Sequence, residues 1–278
     1  MFLKIYDGHV HTPYCPHGTK DTFFKYCQQA IDNNITGITF TEHAPLPRSF
    51  TDPTPLQDSG MDWKYLTSYF EEVIHVKKEF KGHLDVNLGL EVDFIEGFEK
   101  ETTEFLNEYG ALLDDSILSV HFLKIDANYL CLDYSPDVFK QAGDLLGSFE
   151  AVYRKYFETV LSSIQANLGK YKPKRIGHIT LARKFHKKHP VSADYTTEIS
   201  NILMEIRNKG YELDYNGAGC VKPLCKEPYP YNEVINEAIK LGIPLVYGSD
   251  AHQASALLSG FESLTHRELL KKPLLLRD

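Results

Sequence analysis

His9 and His11 stand two residues apart in Asp7-Gly-His9-Val-His11, at the end of the first apolar run of the chain. Alternate side chains of an extended strand share a face, so both imidazoles can reach one ion. Residues of the same chemical type close other apolar or β-branched runs. Glu42 and His43 follow Gly37-Ile-Thr-Phe-Thr41, Glu91 follows Asn87-Leu-Gly-Leu90, and His121 follows Ser116-Ile-Leu-Ser-Val120. His178 lies in Arg175-Ile-Gly-His178-Ile-Thr180, Asp250 and His252 follow Tyr247-Gly-Ser249, and His17 ends the loop after His11. Singly, each has an ordinary explanation as a capping, core or solvated residue. Together they do not, because chance does not place such groups at the ends of most runs at once. His9, His11, His17, His43, Glu91, His121, His178, Asp250 and His252 are therefore read as metal ligands. A tetrahedral ion takes three or four protein ligands, so nine donors imply two or three divalent ions. A majority of imidazoles suits Zn, Fe or Mn better than Ca or Mg. Glu91, midway in the strand order, is expected to bridge two ions.

Seven strands must position these groups: Leu3–His9, Ile35–Thr41, Asp85–Glu91, Ser116–His121, Arg175–Thr180, Tyr211–Asn216 and Ile243–Tyr247. Helical spacing of apolar residues marks Asp21–Asn33, Trp63–Phe80, Phe149–Asn167 and Ser192–Lys209 between them, the first with an Asp cap. Strands alternating with helices give βαβ units and a parallel sheet, and seven such units favour closure into a barrel. In a barrel the C-terminal strand ends meet on one rim. Pro45–Asp62, with prolines at 45, 47, 53 and 55, is expected to be a long loop at that rim, and Asp126–Gln141 another.

Composition bounds the reading. The 278 residues are 42% hydrophobic and 24% charged, the balance of a globular protein, and no repeat or linker divides them, so residues 1–278 are read as a single domain. The formal net charge of −8 disfavours a nucleic-acid partner. Five scattered cysteines without a CxxC pair point to a reducing, cytoplasmic setting, and no apolar run reaches 18 residues, which argues against a membrane span. Seven of the 12 histidines fall on the expected rim. His75, His83, His186, His189 and His266 lie in helix patterns or Lys-rich loops and are expected to be solvated.

The segments DGHVHTPYCPHG, GITFTEHAPLP, GLEVDF, SVHF, GHITLARKF and YGSDAH together resemble the PHP (polymerase and histidinol phosphatase) superfamily, and within it the histidinol-phosphate phosphatase branch. The resemblance runs over nearly the whole chain. It implies an α/β fold, a distorted TIM-like (β/α)7 barrel with a trinuclear metal site at the C-terminal rim. Carried onto this chain, it puts His9, His11, Glu91 and Asp250 around one ion, Glu91, His121 and His178 around a second, and His17, His43 and His252 around a third. Glu91, Asp250 and His252 are the expected catalytic residues, and Asp7 and Glu42 are expected to orient imidazoles. The chain departs from the pattern at Tyr215-Asn216-Gly217, where relatives more often carry an Asn-Thr-x-Gly turn.

The implied activity is hydrolysis of a small phosphorylated amino-alcohol. Clustered divalent ions lower the pKa of a bound water and clamp phosphoryl oxygens, so no Ser or Cys nucleophile is required, and Cys15 is read as a small buried residue. Arg183, then Arg48, are the expected phosphate contacts, because guanidinium offers a bidentate fork. Asp93 or Asp214 would accept from the amino or imidazole group. Three other readings compete. A related phosphoesterase would act on nucleotides or nucleic-acid ends. An amidohydrolase-type C–N hydrolase shares the HxH but typically uses a carbamylated Lys where His121 stands. A non-catalytic metal-stabilised module would have lost ligands that are all present here.

Overall fold

The structure, a computed structural model, describes residues 4–276. It contains strands β1 (Ile5–Val10), β2 (Ile35–His43), β3 (Asp85–Asp93), β4 (Ile117–Ser119), β5 (Phe122–Ile125), β6 (Asn128–Cys131), β7 (Arg175–Ile176), β8 (Glu212–Asn216) and β9 (Leu245–Gly248). Seven of them form one parallel sheet in the order β1-β2-β3-β4-β7-β8-β9. Its two ends meet where Asp250 donates its N–H to the His9 carbonyl at 2.8 Å and His11 donates to Ala251 at 3.0 Å. The sheet is thus a nearly closed (β/α)7 barrel, as the alternation of strands and helices predicted. All seven expected strands are present with shifted ends; Leu3 lies outside the described residues. His121 and His178 fall just beyond β4 and β7 rather than within them.

Helices lie between the strands because their apolar stripes need the sheet. Phe23, Tyr26, Cys27 and Ala30 are the buried side of Phe23–Asp32. Thr22, not Asp21, caps this helix by accepting from the Lys25 N–H; Asp21 instead accepts from Ala254 at the other end of the chain. Leu66–Glu79, Phe149–Gln165 and Thr196–Lys209 match the other expected helices within a few residues. Asp126–Gln141 is not a loop. It holds β6, which pairs antiparallel with β5, and the start of the helix Pro136–Leu146. The residues of Pro45–Asp62 form no helix or strand, and Phe50 from that loop packs on Phe98, Phe122 and Tyr129 beside the hairpin.

The helix Phe149–Gln165 carries a device that bears on the site. Lys172, buried, donates from Nζ to the carbonyls of Ser163, Ile164 and Ala166 at 2.7, 2.6 and 2.7 Å. It thereby satisfies the carbonyls that a helix C-terminus leaves unpaired. The same helix holds the rim through Tyr156, whose hydroxyl donates to the His178 carbonyl at 3.1 Å. Lys172→Met should therefore cost about 1–3 kcal/mol, read as a lower denaturant midpoint at unchanged slope. An unshifted midpoint would remove this role.

Candidate metal centre

The strand ends bring all nine expected ligand residues to one rim. His9 and His11, on one face of β1, lie with ring centroids 5.3 Å apart. Parallel register sets His43 of β2 beside Glu91 of β3. Glu91, only 1% exposed, is the hub: Oε2 lies 3.4 Å from His9 Nε2, 3.6 Å from His11 Nε2 and 3.2 Å from His43 Nδ1. Its Oε1 lies 3.0 Å from His178 Nε2 and 3.7 Å from His121 Nε2. Asp250 Oδ1 lies 3.1 Å from His11 Nε2 and 3.9 Å from His9 Nε2. Asp250 holds a left-handed backbone, φ 53°, which Asp tolerates better than most side chains and which is typical of a strained functional position.

The donor atoms fall into three close groups: His9, His11 and Asp250; Glu91, His121 and His178; and His11, Cys15, His43 and His252. The third group differs from the expected one. Cys15, read as a small buried residue, is indeed fully buried, yet its sulfur faces the imidazoles; burial pushes its thiol pKa up. His17 reaches the group through His252, Nε2 to Nε2 at 3.1 Å.

That last contact tests whether these residues fit a metal. His17 Nδ1 lies 3.0 Å from the Asp58 carbonyl, and His252 Nδ1 lies 2.9 Å from the Asp250 carbonyl. A carbonyl only accepts, so both Nδ1 atoms carry a proton, and with both rings neutral the two Nε2 lone pairs face each other. Lone pairs so placed repel unless a cation joins them. Deeper in, and unlike the exposed His17, His9 Nε2, His11 Nε2 and His43 Nδ1 are buried without a hydrogen-bond partner. The donor set therefore fits divalent ions.

Electrostatics point the same way. Burial pushes Glu91 up, but His9 and His121 outweigh it and hold the carboxylate well below its usual range; Asp250 behaves likewise through His9 and His11. Burial lowers His252 to about 3 and also depresses His43, which keeps both rings neutral, the form a metal ligand requires. His121 is raised to about 10 because Asp93 and Glu91 outweigh burial. The carboxylates thus draw positive charge to the rim, as protons or as ions.

Behind the rim, carboxylates fix the imidazole tautomers. Asp214 Oδ2 accepts from His9 Nδ1 at 2.9 Å, Asp93 Oδ1 from His121 Nδ1 at 2.8 Å, and Glu42 Oε1 lies 3.3 Å from His11 Nδ1. Each such bond turns Nε2 inward as a lone pair. Asp93 and Asp214, expected to face a substrate, are thereby committed to histidines instead. Glu42 orients a ring as expected. Asp7 does not: it accepts from the backbone N–H groups of Ser249 and His9 at 2.9 and 3.4 Å, and burial lifts its pKa to about 6.

A cavity of about 540 Å³ opens over the cluster, and Lys184, Lys222 and Asp133 are the charged residues on its wall besides the ligand candidates. The two expected arginines lie elsewhere. Arg183 forms a bidentate pair with Glu227, and Arg48 stacks 3.8 Å over the Trp63 ring in a neighbouring groove. Of the histidines expected to be solvated, His75 and His83 are exposed, and His266, intermediate in burial, bonds Asn236 through Nε2 at 2.9 Å. His189 is not solvated. It is 8% exposed, stacked on Phe139, with Nε2 3.0 Å from the Pro136 carbonyl. His186, partly buried, bonds the Cys225 carbonyl through Nε2 at 2.8 Å. Tyr215, at the position that departs from the family turn, is fully buried and shares its hydroxyl with Asn232 and Thr265.

Residues 7–218 match the family model described as "PHP domain". The chain is 50% identical over 263 residues to the histidinol-phosphatase of Bacillus subtilis, covering 94% of this chain and 98% of that one. A crystal structure from Listeria monocytogenes, provisionally described as a histidinol phosphatase, superposes with a TM-score of 0.90 at 36% identity, over 94% of this chain and 100% of the other. The histidinol phosphate phosphatase of Lactococcus lactis, solved with zinc, L-histidinol and phosphate, shares the fold, with a TM-score of 0.64 at 22% identity over 91% of this chain and 88% of that one. The family match and the close relative agree with the rim geometry, and the chain belongs to the PHP domain family.

Proposed function

We propose that this protein is a metal-dependent phosphate monoester hydrolase that converts L-histidinol phosphate and water to L-histidinol and phosphate, a step of histidine biosynthesis. The observation that carries the reading is the set of buried, inward-facing donor atoms around Glu91 at the floor of an open cavity. The names of the Bacillus and Listeria relatives supply the substrate. All five cysteines are free, which fits a reducing, cytoplasmic setting, and among the described residues no helix is long and apolar enough to cross a membrane.

His9, His11, Glu91 and Asp250 would hold one ion, Glu91, His121 and His178 a second, and His17, His43 and His252 a third, each Zn, Fe or Mn. Bound there, such ions supply Lewis-acid stabilisation of phosphoryl charge and a water acidic enough to react near neutral pH. The protein does the rest. Asp214, Glu42 and Asp93 hold the Nδ1 sides of His9, His11 and His121, so that these rings cannot rotate away. Lys184 brings a cation to the cavity wall where phosphate charge would sit. Arg183, one residue before Lys184, is committed to Glu227, and Arg48 lines a separate groove.

Purified protein should release phosphate from L-histidinol phosphate, lose that activity on exhaustive chelation, and regain it when Zn, Fe or Mn is returned. Activity that survives chelation, or a monophosphate panel in which nucleotides are the better substrates, would sink the proposal.

A further inference from the structure

Two lobes open over the cluster. The larger is the 540 Å³ cavity already described; the smaller, about 260 Å³, is walled by Asp58, Ser59, Cys131 and Tyr134. The lobes share His17, His43, His121, Asp133 and Lys184. Asp133 follows β6 and Lys184 lies in the turn Leu181–Phe185 after His178, so the hairpin and the β7 segment meet at this boundary. There Asp133 Oδ2 accepts from Lys184 Nζ at 2.8 Å, and the two side chains are 19% and 22% exposed. Ligand histidines aside, the smaller lobe holds two carboxylates, Asp58 and Asp133, and Lys184 as its one fixed cation.

An ion pair on the wall of a binding site must be satisfied in every state. Opened alone, it leaves two poorly solvated charges, which costs more than the pair contributes. A ligand with an anionic and a cationic end can open it without that cost. We propose that Asp133 and Lys184 exchange partners on substrate binding: Lys184 turns to the phosphoryl group in the larger lobe, and Asp133 takes the substrate ammonium in the smaller one. This rests on the phosphatase reading and deepens it, because it names the group that selects the alcohol. With Lys184 engaged, the smaller lobe keeps two carboxylates and no fixed cation, which suits a protonated amino-alcohol. A phosphate ester without an amine pairs with Lys184 and strands the Asp133 carboxylate, so the exchange discriminates against it.

The test compares kcat/KM for L-histidinol phosphate with that for the phosphate ester of the same imidazolyl alcohol lacking the amine. The wild type should prefer the amine-bearing ester. Asp133→Asn should reduce that preference by roughly 10- to 100-fold, chiefly through KM, and Asp133→Glu should restore part of it. Because the preference is a ratio within one preparation, partial metal loading or partial folding cancels. Lys184→Met should weaken both esters and keep the ratio within about threefold, as expected of a group that meets only the shared phosphoryl end. Equal losses on both esters for Asp133→Asn, or a ratio that collapses in Lys184→Met alone, would overturn the exchange. A wild type inactive on L-histidinol phosphate would instead remove the underlying reading, and would be seen before any variant is compared.

Discussion

Glu91→Gln should reduce kcat by about a thousandfold or more, and elemental analysis should find at least one ion fewer per chain. The substitution keeps volume and shape, so the core around β3 is undisturbed; what changes is charge and the number of lone pairs. Ser119 donates to Oε1 at 2.6 Å, which fixes the amide oxygen there and turns the new NH2 toward His9, His11 and His43. N–H groups then occupy the place where those lone pairs converge on a carboxylate. The two sets of donors that meet at Glu91 lose their shared anion, and the loss extends beyond one ligand. Full metal content in the variant would remove Glu91 as the bridge, whatever its activity. Loss of activity with full metal content would leave Glu91 a role in the chemistry alone.

The rim was legible because its signals are local. Period-two alternation puts His9 and His11 on one face, and an ionisable residue ending an apolar run is visible without knowing the neighbouring strand. What was not legible depends on which strands are neighbours. Asp214 and His9 are 205 residues apart, and only barrel closure, which sets β9 beside β1 with β8 next to it, brings them together. Asp93 shares the face of Glu91 by the same alternation, so its place near the cluster could be read, but its bond to His121 depends on the stagger between β3 and β4. The Lys-rich stretch around His189 suggests solvent, but Phe139 and Phe149, 40 or more residues earlier, supply a buried ring pocket that its own neighbours do not announce. The arginines show the limit of position in sequence. Arg183 is five residues past His178, yet the tight turn Leu181–Phe185 points it to Glu227 and gives the cavity wall to Lys184.

Arg175→Met should destabilise the fold by about 3–5 kcal/mol, the cost of leaving the buried Asp115 carboxylate without its cation. Arg175 opens β7 with no exposure, and its guanidinium crosses the barrel floor. Nη2 donates to the Gly8 carbonyl at 2.8 Å and to Asp115 Oδ2 at 2.6 Å, while Nη1 lies 3.9 Å from Glu212 Oε1. One residue thus ties β1, the entry to β4, and β8. Gly8 has to be glycine for this approach, since a Cβ there would collide with the guanidinium. One arginine faces two carboxylates, and the excess is met by a proton: burial raises Glu212 to about 8, a rise that Arg175 only partly opposes. The unfolded chain loses that proton near pH 4.5, whereas the folded chain keeps it until about 8. Between those values the folded state binds more protons, so this group makes stability fall as pH rises, by up to about 1.4 kcal/mol per pH unit. Glu212→Gln should abolish that fall, since an amide has no proton to lose, while Arg175→Met should keep it and push it to higher pH by removing the opposing cation. Urea unfolding between pH 5 and 8 measures both. Equal pH slopes in the wild type and Glu212→Gln would mean that Glu212 is ionised at the barrel floor, and that the site above rests on a doubly charged base.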